Sequence, residues 1–307
     1  MESTDHRSTR GVTDRGWLEQ LDPNTVPRRP RSVHEARRAL DAVTDRLLAE
    51  GDPRAAFPDV YGIITRRVAE SVELCERQGS EGAFFQEPRW ISCLAGRFCE
   101  RYLETLGWSL GGGAQDAGAW DATYGALDNA GTFPLQHVLL GLSAHINFDL
   151  AIGIYRTIVE HGRTDAATLR RYKHDHDAVN DLLRASVPEA FDHLISRHGC
   201  EASALIFRRT YAFAEWATMR ILSRWRGRVW EDAMAMLAAP TAEAREVIVQ
   251  RMERLSRRYA RILALPGVIP LGLHAPASLN GAGGSPASPH RWPAQTSQAR
   301  SFLSGLL

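Results

Sequence analysis

Two groups of polar residues in helix-like sequence have the residue types and spacing that chemistry needs. The first is a histidine and a carboxylate four residues apart, His145 and Asp149, with Asn147 between them, in the apolar run from Phe133 to Tyr155. On a helix this spacing places both side chains on one face one turn apart, where an imidazole and a carboxylate can chelate a metal ion together. Without a metal, the carboxylate can orient the imidazole as a general base. The second group follows closely: His174, Asp175, His176, Asp177, Asn180 and Asp181. Asp177 and Asp181 are one turn apart, and Asn180 falls on the same side.

These residues need long elements to hold them. The run from 133 to 155 has the length of a long helix, Pro134 suits its first turn, and only Gly141 and Gly153 weaken it. At ~100° per residue His145 and Asp149 share a stripe with Val138, Gly141 and Leu142, while Gln136 and Asn147 lie nearly opposite, so the helix is apolar all round. Such a helix spans a membrane or runs through the middle of a core. His137, His145, Asn147 and Asp149 within it argue for the core. The charged helix is the next one, and antiparallel packing of consecutive helices would bring Asp177 or Asp181 to the level of Asp149.

The rest of the chain reads as further helices. One follows Ser32 to about Glu50, a second runs from about Pro58 to Arg77, a third follows Pro88, and a short one carries Trp120 and Tyr124. After the central helix, another starts at Thr164 or Asp165, is interrupted near Pro188 and ends at Gly199. The last two span Glu201 to Arg226 and Thr241 to Leu265. No alternating run of β-branched residues appears. The expected fold is all-α, a helical bundle over residues 32–268 around a buried central helix. Residues 1–31 and 269–307, rich in Gly, Pro and small polar residues, read as flexible arms.

Composition narrows the function. The 307 residues are 44% hydrophobic and 24% charged with a net charge of +1, which gives no electrostatic case for nucleic acid or an anionic membrane. Four cysteines without a C-x-x-C spacing, and no apolar leader, point to a reduced cytoplasmic protein. Lys173 is the only lysine, and the Arg- and Ala-rich usage suits a GC-rich bacterial genome. No nucleotide fingerprint, P-loop, G-x-S-x-G or H-E-x-x-H is present, so no nucleotide cofactor is expected.

The stretch Gln136-His-Val-Leu-Leu-Gly-Leu-Ser-Ala-His-Ile-Asn-Phe-Asp-Leu150 resembles the Q-H-x-L-L-G-x-x-A-H-I-N-x-D-L signature of the bacterial DUF5995 proteins, a domain family of unknown function. Val60 to Thr65, Asp177 to Leu183 and Arg209 to Trp216 extend the likeness, and Ser143 stands where the signature has Asn. The resemblance implies a helical domain in a bacterium, and no reaction.

Three functional readings stay open. One is an enzyme acting on a small molecule, with His145, Asp149 and Asp177 holding a divalent zinc, iron or manganese ion, and Asn147 and Asp181 completing the catalytic set. His137, Asn180, Trp120 and Trp216 would then contact substrate. The second is a metal-free cyclase, dehydratase or isomerase using the same residues as acid and base. The third is a non-catalytic binding or interaction module in which the polar cluster is structural.

Overall fold

The computed structural model describes residues 27–79, 83–110, 118–127, 132–199 and 201–265, without the side chains of 108 and 201–217. Among these residues every element is helical: α1 (Val33–Ala49), α2 (Ala56–Gln78), α3 (Pro88–Leu110), α4 (Asp121–Leu127), α5 (Pro134–His161), α6 (Ala166–His198), α7 (Glu201–Ala238) and α8 (Ala242–Leu263). Single 3₁₀ turns precede α2 and α4.

Local chemistry sets the helix starts. Ser32 caps α1 by accepting from the Glu35 N–H, Asp165 caps α6 from Thr168, and Thr241 caps α8 from Ala244. Gly162 ends α5 in the left-handed conformation, φ 64°. Two helices run further than their sequences suggest. Pro188 does not interrupt α6; it and Arg184, whose carbonyl it leaves unbonded, are exposed, so water can meet the freed acceptor. Helix α7 passes Arg226 and continues to Ala238, because Val229, Trp230, Ala233 and Met236 carry its buried stripe onward.

The expected arms fall largely outside the described residues. Where the first one joins the body it is packed: a Cβ on Gly96 would lie 2.6 Å from the Ser32 nitrogen and 2.9 Å from the Pro30 carbonyl oxygen, so α3 meets the backbone there through a glycine. Pro30 itself is buried.

Helix α5 is the axis of the fold. By length and apolar composition it would pass as a membrane span, but 83% of its most apolar 18-residue stretch is buried inside the protein. Its middle departs from α geometry. Residues His145–Asp149 form a π turn in which the Leu150 N–H bonds the His145 carbonyl. Such wide turns often sit at functional sites.

The neighbours of α5 are not those that chain order suggests. Its C-terminal half packs on α3 and α7, whereas α6 packs chiefly on α2 and α7. Side chains tie α6 to α2: Glu189 pairs with Arg66 and Arg67, and Asp59 takes His193, Arg197 and His198. The antiparallel docking expected of consecutive helices is therefore absent, and with it the route by which Asp177 would reach Asp149.

Candidate functional site

A cavity opens between α2, α3, α5, α6 and α7, enclosing about 720 Å³ with its mouth included. Its wall is almost wholly apolar: Ile64 and Val68 from α2, Leu94 and Phe98 from α3, Leu142 and Ile146 from α5, Val179 and Leu183 from α6. Five polar side chains interrupt it: Tyr61, Thr65, His145, His176 and Arg226.

His145 is the more tightly built of the two imidazoles. Its Nδ1 donates to Asp149 Oδ2 at 3.0 Å, and the same oxygen accepts from Trp120 Nε1 at 2.8 Å. Arg101 Nε stands 3.8 Å from Asp149 Oδ1, an ion pair without a hydrogen bond. The ring is stacked on Phe98, centroids 3.4 Å apart and planes 8° from parallel, with Tyr61 edge-on at 4.8 Å. A carboxylate oxygen only accepts here, so Nδ1 carries the hydrogen and Nε2 keeps its lone pair. That Nε2 is buried and has no partner. Burial, aided by Arg101, pulls the His145 pKa below its ordinary 6.5 against the pull of Asp149, so the ring is neutral at physiological pH.

His176 repeats the pattern in another setting. Its Nδ1 donates to Asp177 Oδ1 at 3.2 Å and its Nε2 is again buried without a partner. Burial and the nearby Arg226 push it down to about 3, despite Asp177. Arg226 is 5% exposed and donates through Nη2 to the His176 carbonyl, while its Nε finds nothing. Burial lowers it to about 10, which leaves it charged at neutral pH.

The sequence candidates are distributed as follows. His145 and Asp149 are bonded to each other, with Trp120 on Asp149. Trp120 and His137 line a separate, smaller cavity of about 250 Å³, divided from the first by Phe57, which lines both. His137 is held by Thr132 at 2.9 Å and the Pro53 carbonyl at 3.3 Å. Asn147 is buried, bonds the Ser143 carbonyl at 3.0 Å and lines neither cavity. Asp177 is exposed and paired with Lys173; it lies low, at about 2, because its bonds to His176 and Lys173 outweigh its partial burial. Asp181 is exposed and Asn180 half-buried, and neither lines the cavity. The Trp216 side chain lies outside the described residues. Asp175 is not on a solvated face: it is fully buried and accepts from the backbone N–H groups of Gln86 and Glu87 at 2.7 and 2.6 Å, anchoring the entry to α3.

His145, Asp149 and Asp177 are thus not gathered. Among the described residues no three His, Cys, Asp or Glu side chains converge as metal ligands. The arrangement suits proton transfer inside an apolar pocket better than chelation. Sequence reasoning passed over Arg226, Arg101 and Phe98. Arg226 had left a signal, a charge on the same helical stripe as Leu222, Val229 and Trp230.

A family model described as a family of unknown function, DUF5995, matches residues 33–266. The chain belongs to the DUF5995 family. No curated protein and no solved structure matches it. The match spans all of α1 to α8, so the cavity and its five polar side chains lie within the DUF5995 domain.

Proposed function

We propose that this DUF5995 protein is a small-molecule enzyme that moves a proton without a metal, an isomerase or lyase, with His145 as the base. The observation that carries this reading is the state of His145: Nδ1 fixed by Asp149, and Nε2 buried and unpartnered on a residue that lines an apolar cavity. A buried polar atom without a partner is costly, and substrate is the natural partner for one on a residue that lines a pocket. His145 would take a proton from the substrate on Nε2, become an imidazolium stabilised by Asp149, and return the proton at a second position or to a leaving group. In an isomerisation the balance closes without a co-reactant. Trp120 and Arg101 hold Asp149, which keeps the tautomer and the ring plane fixed during transfer.

The test compares wild type with His145→Gln by untargeted mass spectrometry of a bacterial metabolite extract. The expected result is one or more compounds converted to a product of the same mass, or one smaller by a water, by the wild type alone, with circular dichroism unchanged in the variant. Because the His145 pKa is lowered, turnover should hold its rate below pH 6.5 before an acid limb appears. Identical profiles from the two proteins would leave a binding module, with the polar cluster structural.

A further inference from the structure

Arg226 brings a charge into the same cavity that the catalytic reading does not use. It is 5% exposed, its Nε has no partner, and among the described residues no carboxylate pairs with it. The acid that acts on it, Asp177, is exposed and already paired with Lys173, so that pair cancels and Arg226 remains as net positive charge. Its one bond, to the His176 carbonyl, satisfies a donor but not the charge. A buried guanidinium without an anion is expensive, and the cavity wall, apolar but for Tyr61, Thr65 and the two imidazoles, offers no negative charge to offset it.

We infer that the cavity takes a monoanionic ligand with an apolar body, its carboxylate received by Arg226 and its body lying along the apolar wall towards His145. A carboxylate fits better than a phosphate dianion, because a single positive charge matches one negative charge and leaves none unpaired in the cavity. With its Nδ1–H given to Asp177, His176 presents only a lone pair at Nε2, so it would accept from a hydroxyl on the same ligand and repel a second anionic group. This names the substrate class of the proposed acid–base site and rests on that reading for its catalytic meaning, not for the binding itself.

The experiment measures binding of octanoate and octan-1-ol, alike in apolar body and different in head group, by titration calorimetry. The wild type should prefer octanoate about tenfold or more, the scale of a charge-assisted bond, and Arg226→Met should bring the two within about twofold. Where Arg226→Met does not fold, the wild-type Arg226 Nε–H resonance, assigned by its loss in Arg226→Lys, gives the answer. It should move on adding octanoate and stay in place with octan-1-ol. Equal affinity for acid and alcohol, no binding of octanoate up to millimolar concentration, or a stationary resonance at saturation would overturn the assignment and make Arg226 a fastener between α7 and α6. In His145→Gln the preference for octanoate should survive, so loss of turnover and loss of carboxylate recognition are read independently.

Discussion

Asp59 and Asp149 are both buried carboxylates set among imidazole and guanidinium groups, and the protein finishes the two sites differently. Asp59, near the start of α2, accepts from His193 Nδ1 at 3.1 Å and Arg197 Nη1 at 2.6 Å on one oxygen, and from His198 Nε2 at 2.9 Å on the other. The partners come from the last two turns of α6, so helix dipoles of both elements favour the charges they hold. No buried atom of Asp59, His193 or His198 is left without a partner. Around Asp149 the inventory stays open: Asp149 Oδ1, Arg101 Nε and His145 Nε2 are all buried and unbonded. The first cluster is closed and joins two helices, while the second ends on a cavity. The same residue types therefore serve structure where every lone pair is used, and keep capacity for a ligand where one is left over on a residue that lines a cavity.

The largest effect should come from opening the second site further. Asp149→Ala strands Trp120 Nε1 and His145 Nδ1 in a dry interior and takes the opposite charge from beside Arg101 Nε, and should cost ~3–5 kcal/mol in urea unfolding while abolishing turnover. An Asp149→Ala protein as stable as wild type would break the comparison, because the buried carboxylate would then not be holding its neighbours.

Asp59→Asn should cost less, ~2–3 kcal/mol, since the amide oxygen still accepts and Arg197 and His193 reach solvent. It should leave octanoate binding and turnover as they are. Its signature is in acid. Burial raises the Asp59 pKa, but the bonds from His198 and His193 and the charge of Arg197 outweigh it, so the folded value lies below the ordinary 3.8. The unfolded state then binds the proton first, and the contribution of Asp59 is fully present above pH 3.8 and lost as pH falls through the lower folded value. Stability of Asp59→Asn should be flatter than wild type across that acid window. A variant as steep as wild type would move the acid sensitivity elsewhere.

Much of this could be read from the chain. The helical class, the central helix buried on all sides, the helix starts after Ser32, at Thr164 or Asp165 and at Thr241, and the pairing of His145 with Asp149 follow from residue types, periodicity and i, i+4 spacing, which are local. What could not be read is which helix faces which. Chain order suggested α6 against the later half of α5, and so Asp177 beside Asp149. Instead α3 and α7 take that place, Asp177 turns to solvent, and its neighbour His176 faces the cavity. The π turn at His145–Asp149 is also invisible to a count at ~100° per residue, since it depends on what the surrounding helices press against. Arg226 was passed over because a charge on a buried stripe reads as an imperfection in the pattern until the cavity beside it is seen.

The smallest effect on stability should be the most telling about how the open site is held. Phe57 and Asp59 lie ~200° apart on α2, so one helix turns Phe57 towards the cavity and Asp59 towards α6. Phe57 is pressed onto α5 at Gly141, where a Cβ would stand 2.5 Å from two atoms of its ring and 3.0 Å from its Cβ. Those atoms are near the backbone of Phe57 and cannot swing away, so Gly141→Ala forces the ring to shift. Overpacking of this kind costs ~1–3 kcal/mol, and better helix propensity returns up to ~1, leaving a net loss of about 1 kcal/mol. Because Phe57 divides the two cavities and stands 5.7 Å from the His145 ring, the displaced ring has space to enter, and octanoate binding should fall by more than stability does. Gly62→Ala is the matched control on α2: its Cβ would find only Asp41 Oδ1, at 3.9 Å, so it should gain stability and leave binding unchanged. If Gly141→Ala behaves like Gly62→Ala in both unfolding and calorimetry, Phe57 is free to move, and the cavity wall around His145 is not the rigid frame that a fixed base requires.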